Sequence, residues 1–166
     1  RKDRDSAGER FHGFFADGLT AQHERDSFAA AWGFLRQHAG ATIYIYSKYE
    51  RTLYRQLARK YPDVCALDDV EALFASPRVI DLYSDVVRSH SEWPTQDFSI
   101  KSLAKWLGFQ WRDNNPSGAA SIEWFEQYVQ GRDAQVKQRI LEYNEDDCRA
   151  MRVLVDAIPK LPIRAR

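Results

Sequence analysis

The feature that most constrains this chain is a stretch near its C-terminus. Apolar residues recur there at Ile140, Cys148, Met151, Leu154, Val155 and Ile158, the rhythm of a helix with one buried face. Pro159 stops the pattern, because a proline disfavours helical geometry in the residue before it. Winding the stretch at helical pitch puts Asp147 within about 40° of Met151, inside the apolar stripe, and Asp146 about 140° away on the solvent side. Tyr143 stands one turn before Asp147 on the same side. A carboxylate turned toward a core needs an arginine, backbone donors or a metal ion to replace its lost hydration. Two readings stand: an inward Asp147 held by a salt bridge beside a core-edge tyrosine, or a phenol and a carboxylate aimed at one point.

At 166 residues and 44% hydrophobic content, the chain can bury one good core. The expectation is a charged loop remnant at residues 1–8 and a single domain over residues 9–166. Lys plus Arg and Asp plus Glu both number 24, so there is no overall basic field and any nucleic-acid contact has to be local. Cys65 and Cys148 are too few for a disulfide scaffold and lack metal-ligand spacing, which suits a reducing compartment. No apolar run is long enough to span a membrane, and the opening Arg-Lys-Asp-Arg-Asp is not a signal peptide. These features predict a soluble, cytoplasmic protein with no membrane partner.

Residues 10–16 read as a strand carrying His12, Asp17-Gly18 as a hairpin turn and residues 19–24 as the returning strand. Asp26 or Ser27 caps a helix that buries Phe28, Ala31, Trp32 and Leu35 and ends at Gly40. Residues 41–46 are β-branched and aromatic, which suits a central strand buried on both sides. In the helix that follows, Glu50 shares a face with Leu53 and Leu57, so a second carboxylate points inward at the C-terminal end of a strand, where open sheets hold ligands. Its alternative is a first-turn glutamate favoured by the helix dipole. Asp68-Asp69 cap a short helix through Phe74. Asp81 lies in a strand or strand-to-helix junction over residues 78–83, either assisting a site or bonded to nearby backbone. Ser99 caps a helix over residues 100–107, on which Lys101 and Lys105 form a solvated face or a phosphate-facing ridge. After a loop at residues 109–118, a helix over residues 119–130 buries Ile122, Phe125 and Val129, and the final helix begins near Asp133. The order predicts an α/β class, a sheet covered by helices.

Three stretches together resemble a known family. They are Tyr44-Ile-Tyr46-Ser-Lys-Tyr49-Glu50-Arg51; Val79-Ile-Asp81-Leu-Tyr83 with Phe98-Ser-Ile-Lys101-Ser-Leu-Ala-Lys-Trp-Leu-Gly108-Phe109; and Tyr143-Asn-Glu-Asp-Asp147-Cys. This set is similar to the YprB-type ribonuclease H-like domain of the DnaQ-like, or DEDD, 3′-5′ exonuclease superfamily, as found with RecB-like nucleases. The resemblance implies a ribonuclease H-like mixed sheet flanked by helices. It also implies hydrolysis of phosphodiester bonds in single-stranded DNA or RNA by a two-metal mechanism using Mg2+ or Mn2+. By position, Asp147 and Glu50 resemble metal ligands, Tyr143 the water-orienting residue and Asp81 a neighbour of the site, with Lys48, Lys101 and Lys105 as candidate nucleic-acid contacts. Other nuclease or helicase domains of the same protein are the implied partners.

The superfamily pattern begins with a strand carrying Asp-x-Glu, and no apolar strand with that motif occurs here, the Asp69-Val70-Glu71 run lying in a short predicted helix. Asp3-Arg4-Asp5 has the spacing without an apolar strand around it, so the expectation is a sequence that starts just downstream of that first strand. The alternative function is a catalytically incomplete ribonuclease H-like domain that binds nucleic acid or docks a partner. A third is a protein-interaction module built on Trp106 and Trp111.

Overall fold

The computed structural model describes residues 8–160 of the chain, so Asp3-Arg4-Asp5 and nearly all of the expected loop remnant lie outside the described residues. Helix α1 (Ala21–Gln37) starts where Thr20 accepts a hydrogen bond from the His23 amide, and it buries Phe28 and Trp32. The hairpin predicted for residues 10–24 is therefore corrected: residues 9–16 run without strand pairing and residues 21–24 are the first turn of α1. Leu19 is 75% exposed and has no sheet face to cover, while Thr20 is a good N-cap. The preceding segment is pinned by side chains instead. Phe15 packs edge-on against Phe125 and Tyr128, and the Asp17 carboxylate takes the Tyr128 hydroxyl at 2.8 Å and Lys137 at 2.5 Å.

Strands β1 (Ile43–Ile45) and β2 (Val79–Asp81) pair in parallel, with Ile43 opposite Val79 and Ile45 opposite Asp81. Helices α2 (Tyr49–Lys60) and α3 (Leu67–Phe74) connect them. β1 is shorter and less covered than its composition predicts: Ile45 is buried but Tyr44 is 40% exposed, because among the described residues β2 alone pairs with it. After β2 the chain enters a π-helical turn (Leu82–Val87) that runs into α4 (Arg88–His90).

Three further helices complete the fold. α5 (Ile100–Trp106) is capped by Ser99, α6 (Gly118–Gly131) by Ser117 and α7 (Ala134–Ala157) by Asp133, each through a side chain that accepts a backbone amide two or three residues on. Arg132, in the left-handed region at φ 53°, makes the corner between α6 and α7. The buried face of α6 is Trp124 and Tyr128, not the predicted stripe; Ile122 is 64% exposed, and Phe125 and Val129 are half-buried. The two larger rings meet Ile140 and Tyr143 of α7, which buries more apolar area than Ile122 offers.

One core joins α1, α2 and α3 through Phe28, Trp32, Ala58, Tyr61 and Val70. A second joins the end of β2, α5 and α7 through Leu82, Val87, Trp93, Leu103 and Leu154. A third joins α6 to α7. α7 thus contributes to two cores, which fixes the direction of each side chain along it.

Candidate functional site

The buried residues of α7 are Ile140, Tyr143, Asp146, Ala150 and Leu154. Tyr143 points inward, and Asp147 is half-buried beside it. Asp146, which helical winding predicts on the solvent side, is only 3% exposed. The winding argument fails there because α7 does not bury a single stripe: the loop between α5 and α6 covers the flank to which Asp146 points. That loop supplies Arg112, whose backbone amide and Nε donate to the two Asp146 oxygens at 2.8 and 2.9 Å. The same guanidinium reaches the Glu142 carbonyl at 2.9 Å and Glu145 at 2.7 Å. Next to it, Trp111 donates its indole N–H to Asp147 Oδ1 at 2.9 Å. Two consecutive loop residues therefore meet two consecutive acids.

From Asp147 the network continues inward. Its carboxylate hydrogen bonds with the Tyr143 phenol, and the Tyr143 Oη lies 3.0 Å from Lys101 Nζ. Lys101 also donates to the Pro116 carbonyl at 2.7 Å and sits 5.1 Å from the Tyr143 ring centroid. Burial pushes the Asp147 carboxyl up, against smaller lowering influences from Trp111, Lys101 and Tyr143. Burial and the Asp147 charge push the Tyr143 phenol well above its ordinary value, so it stays neutral and acts as a hydrogen-bond partner rather than a base. Of the three lysines singled out in the sequence, Lys101 is tied into this network, whereas Lys48 and Lys105 are exposed.

Glu50 and Asp81 lie at the C-terminal ends of β1 and β2. Asp81 Oδ1 accepts from the amides of Ser47 at 2.8 Å, Tyr83 at 3.0 Å and Ser84 at 3.2 Å, so it caps the π-helical turn and staples the exit of β1 to the exit of β2. Ser47 turns that corner in the left-handed region at φ 81°, a conformation that a non-glycine residue holds only when its surroundings enforce it. Three residues on, Glu50 is half-buried, and its Oε2 is buried with no hydrogen-bond partner. Burial raises its carboxyl, the backbone amides of Glu50 and Tyr46 offset part of this, and the Asp81 charge adds to it. Cys148 of α7, an exposed residue, is in electrostatic reach of both sides: partial desolvation raises its thiol, and the charges of Asp147, Glu145 and Glu50 add to the effect.

Among the described residues no three His, Cys, Asp or Glu side chains stand close enough together to hold a metal ion. Glu50 and Asp147 offer hard oxygen donors of the kind Mg2+ and Mn2+ take, but the described set does not complete a centre. His12 stacks on Phe34 with ring centroids 4.7 Å apart. Trp106 is 50% exposed and meets Trp93 edge-on, whereas Trp111 is engaged by Asp147. No helix among the described residues is long and apolar enough to cross a membrane. Sequence reading put Asp146 on the solvent side and did not single out Arg112. The signal was faint: an acid doublet on the helix and a Trp-Arg-Asp run in a loop, with nothing in either to say that they meet.

No curated protein and no solved structure matches the chain. The RNase H superfamily family model matches residues 3–158, a span that takes in β1, β2, Glu50, Asp81 and the whole Tyr143 to Asp147 network. On this match the chain belongs to the RNase H superfamily.

Proposed function

We propose that this domain is a divalent-metal-dependent nuclease that hydrolyses phosphodiester bonds of single-stranded DNA or RNA from a 3′ end, with Asp147 and Glu50 among its cation-facing carboxylates. Membership of the RNase H superfamily supports a nuclease-type function. The observation that carries the site is the Glu50 Oε2, a buried acceptor without a donor at the C-terminal end of β1. A buried unpaired carboxylate oxygen is costly unless a cation or donor reaches it, so the atom is poised to accept one. Asp147, raised by burial, would be held ionised by a neighbouring Mg2+ or Mn2+. The reading needs at least one further donor from outside the described residues.

The chain's own groups have roles that do not depend on that donor. Tyr143 is neutral and locked between Lys101 and Asp147, so it orients a water or substrate oxygen by hydrogen bonding. Lys101 places an ammonium where negative charge arrives with a phosphate. The test is cleavage of end-labelled single-stranded DNA and RNA by the chain with Mn2+, beside Asp147→Asn and Glu50→Gln. We expect either variant to lose about 100-fold or more in rate, the scale on which a positioned electrostatic group contributes. Unchanged Mn2+-dependent cleavage by Asp147→Asn overturns the assignment.

A second reading is favoured by the missing metal-holding trio among the described residues. It is a catalytically incomplete domain that binds nucleic acid, or docks against nuclease or helicase domains of the same protein. It predicts strand binding that survives EDTA and weakens steeply with salt, with no cleavage by the wild type.

A further inference from the structure

A groove runs along the exposed side of α7, away from Tyr143. It encloses about 320 Å³, in the size range of pockets that hold small organic ligands. Residues 9–12 (Glu-Arg-Phe-His) and Phe34 line it together with Glu145, Arg149 and Arg152 of α7, three cations against two acids. Its aromatic lining is layered. Phe34 lies between His12 and His38, with ring centroids 4.7 and 4.3 Å away and interplanar angles of 36° and 34°. The Phe11 ring is left 37% exposed at the mouth.

The cations in this lining are loosely held. Arg149 pairs with Glu145 at 3.1 Å and Arg152 with Asp156 at 3.1 Å, both one turn apart on the helix with side chains 49% and 61% exposed. Such pairs contribute little and exchange readily for a phosphate. Arg10 makes no ion pair among the described residues, and of the two acids in the lining, Glu9 and Glu145, the second is also engaged by Arg112 at 2.7 Å. Cys148, which also lines the groove, follows Asp147 directly in the chain.

We propose that this groove binds a short run of single-stranded nucleic acid, with phosphates on Arg149 and Arg152 and a base on the exposed Phe11 ring, which the His12–Phe34–His38 stack supports from behind. Interleaved arginines and aromatic rings are the chemistry that holds a strand without reading its sequence. With 24 cationic and 24 anionic side chains in the whole chain, a local patch of this kind is the only way such contact arises. The inference rests on the nuclease reading for the identity of its ligand, and it adds where the strand lies.

The test measures fluorescence anisotropy of a labelled thymidine oligonucleotide of about ten nucleotides, titrated with the whole chain in EDTA. We expect binding that weakens with salt, a loss of about tenfold or more in Arg149→Glu/Arg152→Glu at about 0.1 M salt, and a loss of about tenfold in Phe11→Ala. A matched reversal elsewhere, Arg36→Glu/Arg59→Glu, should leave binding within about twofold of wild type if the field of the whole protein is not responsible. Since all three groove positions are exposed, circular dichroism should show each variant folded. Wild-type affinity in both groove variants overturns the proposal, as does a mononucleotide that binds as tightly as the oligonucleotide. Cleavage of the same strand with Mn2+ separates the two readings. Binding without cleavage by the wild type removes the nuclease and keeps the groove. Cleavage at unchanged KM in Arg149→Glu/Arg152→Glu removes the groove and keeps the nuclease.

Discussion

At α7, Asp146 takes the Arg112 amide and guanidinium and Asp147 takes the Trp111 indole. At the exit of β1, by contrast, Glu50 keeps a buried oxygen that meets no donor. Donors are not scarce near Glu50, since Asp81 alone gathers three amides. The difference teaches what each acid is for. Asp146, with both oxygens taken, fixes geometry, as the Arg112 clip fixes the loop that carries Trp111. An unsatisfied one leaves a free-energy deficit that only a ligand removes.

The sharpest way to break this comparison is to remove the most satisfied acid. Asp146→Ala strands the Arg112 amide and releases the loop from α7, and we expect about 2–3 kcal/mol of lost stability, with the exposed half of Arg112 limiting the damage. Urea denaturation at pH 7 measures it. A loss under about 0.5 kcal/mol, the range of an ordinary surface change, would mean that the clip does not order the loop.

That acid is also the residue least legible in the sequence. The Tyr143 to Asp147 spacing and the position of Glu50 after an apolar strand follow from local periodicity, which survives folding because α7 and α2 are regular helices. Asp146 follows from tertiary contact, since its burial is created by a loop joining two other helices. The N-terminal region fails for a related reason. Residues 10–24 carry a strand-like pattern and an Asp-Gly turn, yet Thr20 caps a helix and Asp17 is bound to Tyr128, more than a hundred residues away in the chain. Local preference there is overridden by a partner that sequence spacing does not reveal.

The opposite side of the comparison is sharpened by supplying the missing partner. If Glu50 faces a cation, Mn2+ at about ten times its dissociation constant should stabilise the protein by about 1.4 kcal/mol, raising the Tm by roughly 3–5 °C for a chain of this size. Glu50→Gln should abolish that shift, as read by differential scanning fluorimetry with and without EDTA. An equal Mn2+ shift in the variant would place the ion elsewhere.

Without metal, Glu50→Gln should have a smaller effect of opposite sign. The folded-state value of Glu50 lies above the ordinary 4.5, so the folded protein holds that proton more tightly than the unfolded chain. Its favourable contribution is complete below pH 4.5 and is lost as pH rises through the raised value. Glutamine carries no such dependence. The variant should therefore gain about 1 kcal/mol over wild type near pH 7 and lose that advantage toward pH 4, which thermal melts across the range would record. A variant less stable than wild type at pH 7 would show that Glu50 is satisfied after all.

Trp111→Phe asks for the reverse at α7. The ring keeps its edge-on packing against Phe109, at 4.9 Å between centroids, but the indole donor to Asp147 is gone. Trp111 is the largest of the influences that lower the Asp147 carboxyl, so its removal moves a value already raised by burial further up. A group raised in the folded state contributes fully below its unfolded value, here 3.8, and loses that contribution as pH rises through the folded value. The variant should match wild type near pH 3.5 and fall behind by about 0.5–1 kcal/mol at pH 7, the net worth of one hydrogen bond. Carboxyl NMR of Asp147 should show the upward shift directly. The two substitutions then move stability in opposite directions over the same pH interval, because one removes an acid whose buried Oε2 lacks a donor and the other removes a donor from an acid that has one. Equal stability of Trp111→Phe and wild type at pH 7 would mean that Asp147 draws its support from Lys101 and Tyr143 instead, which makes that pair, rather than the loop, the setting of the acid.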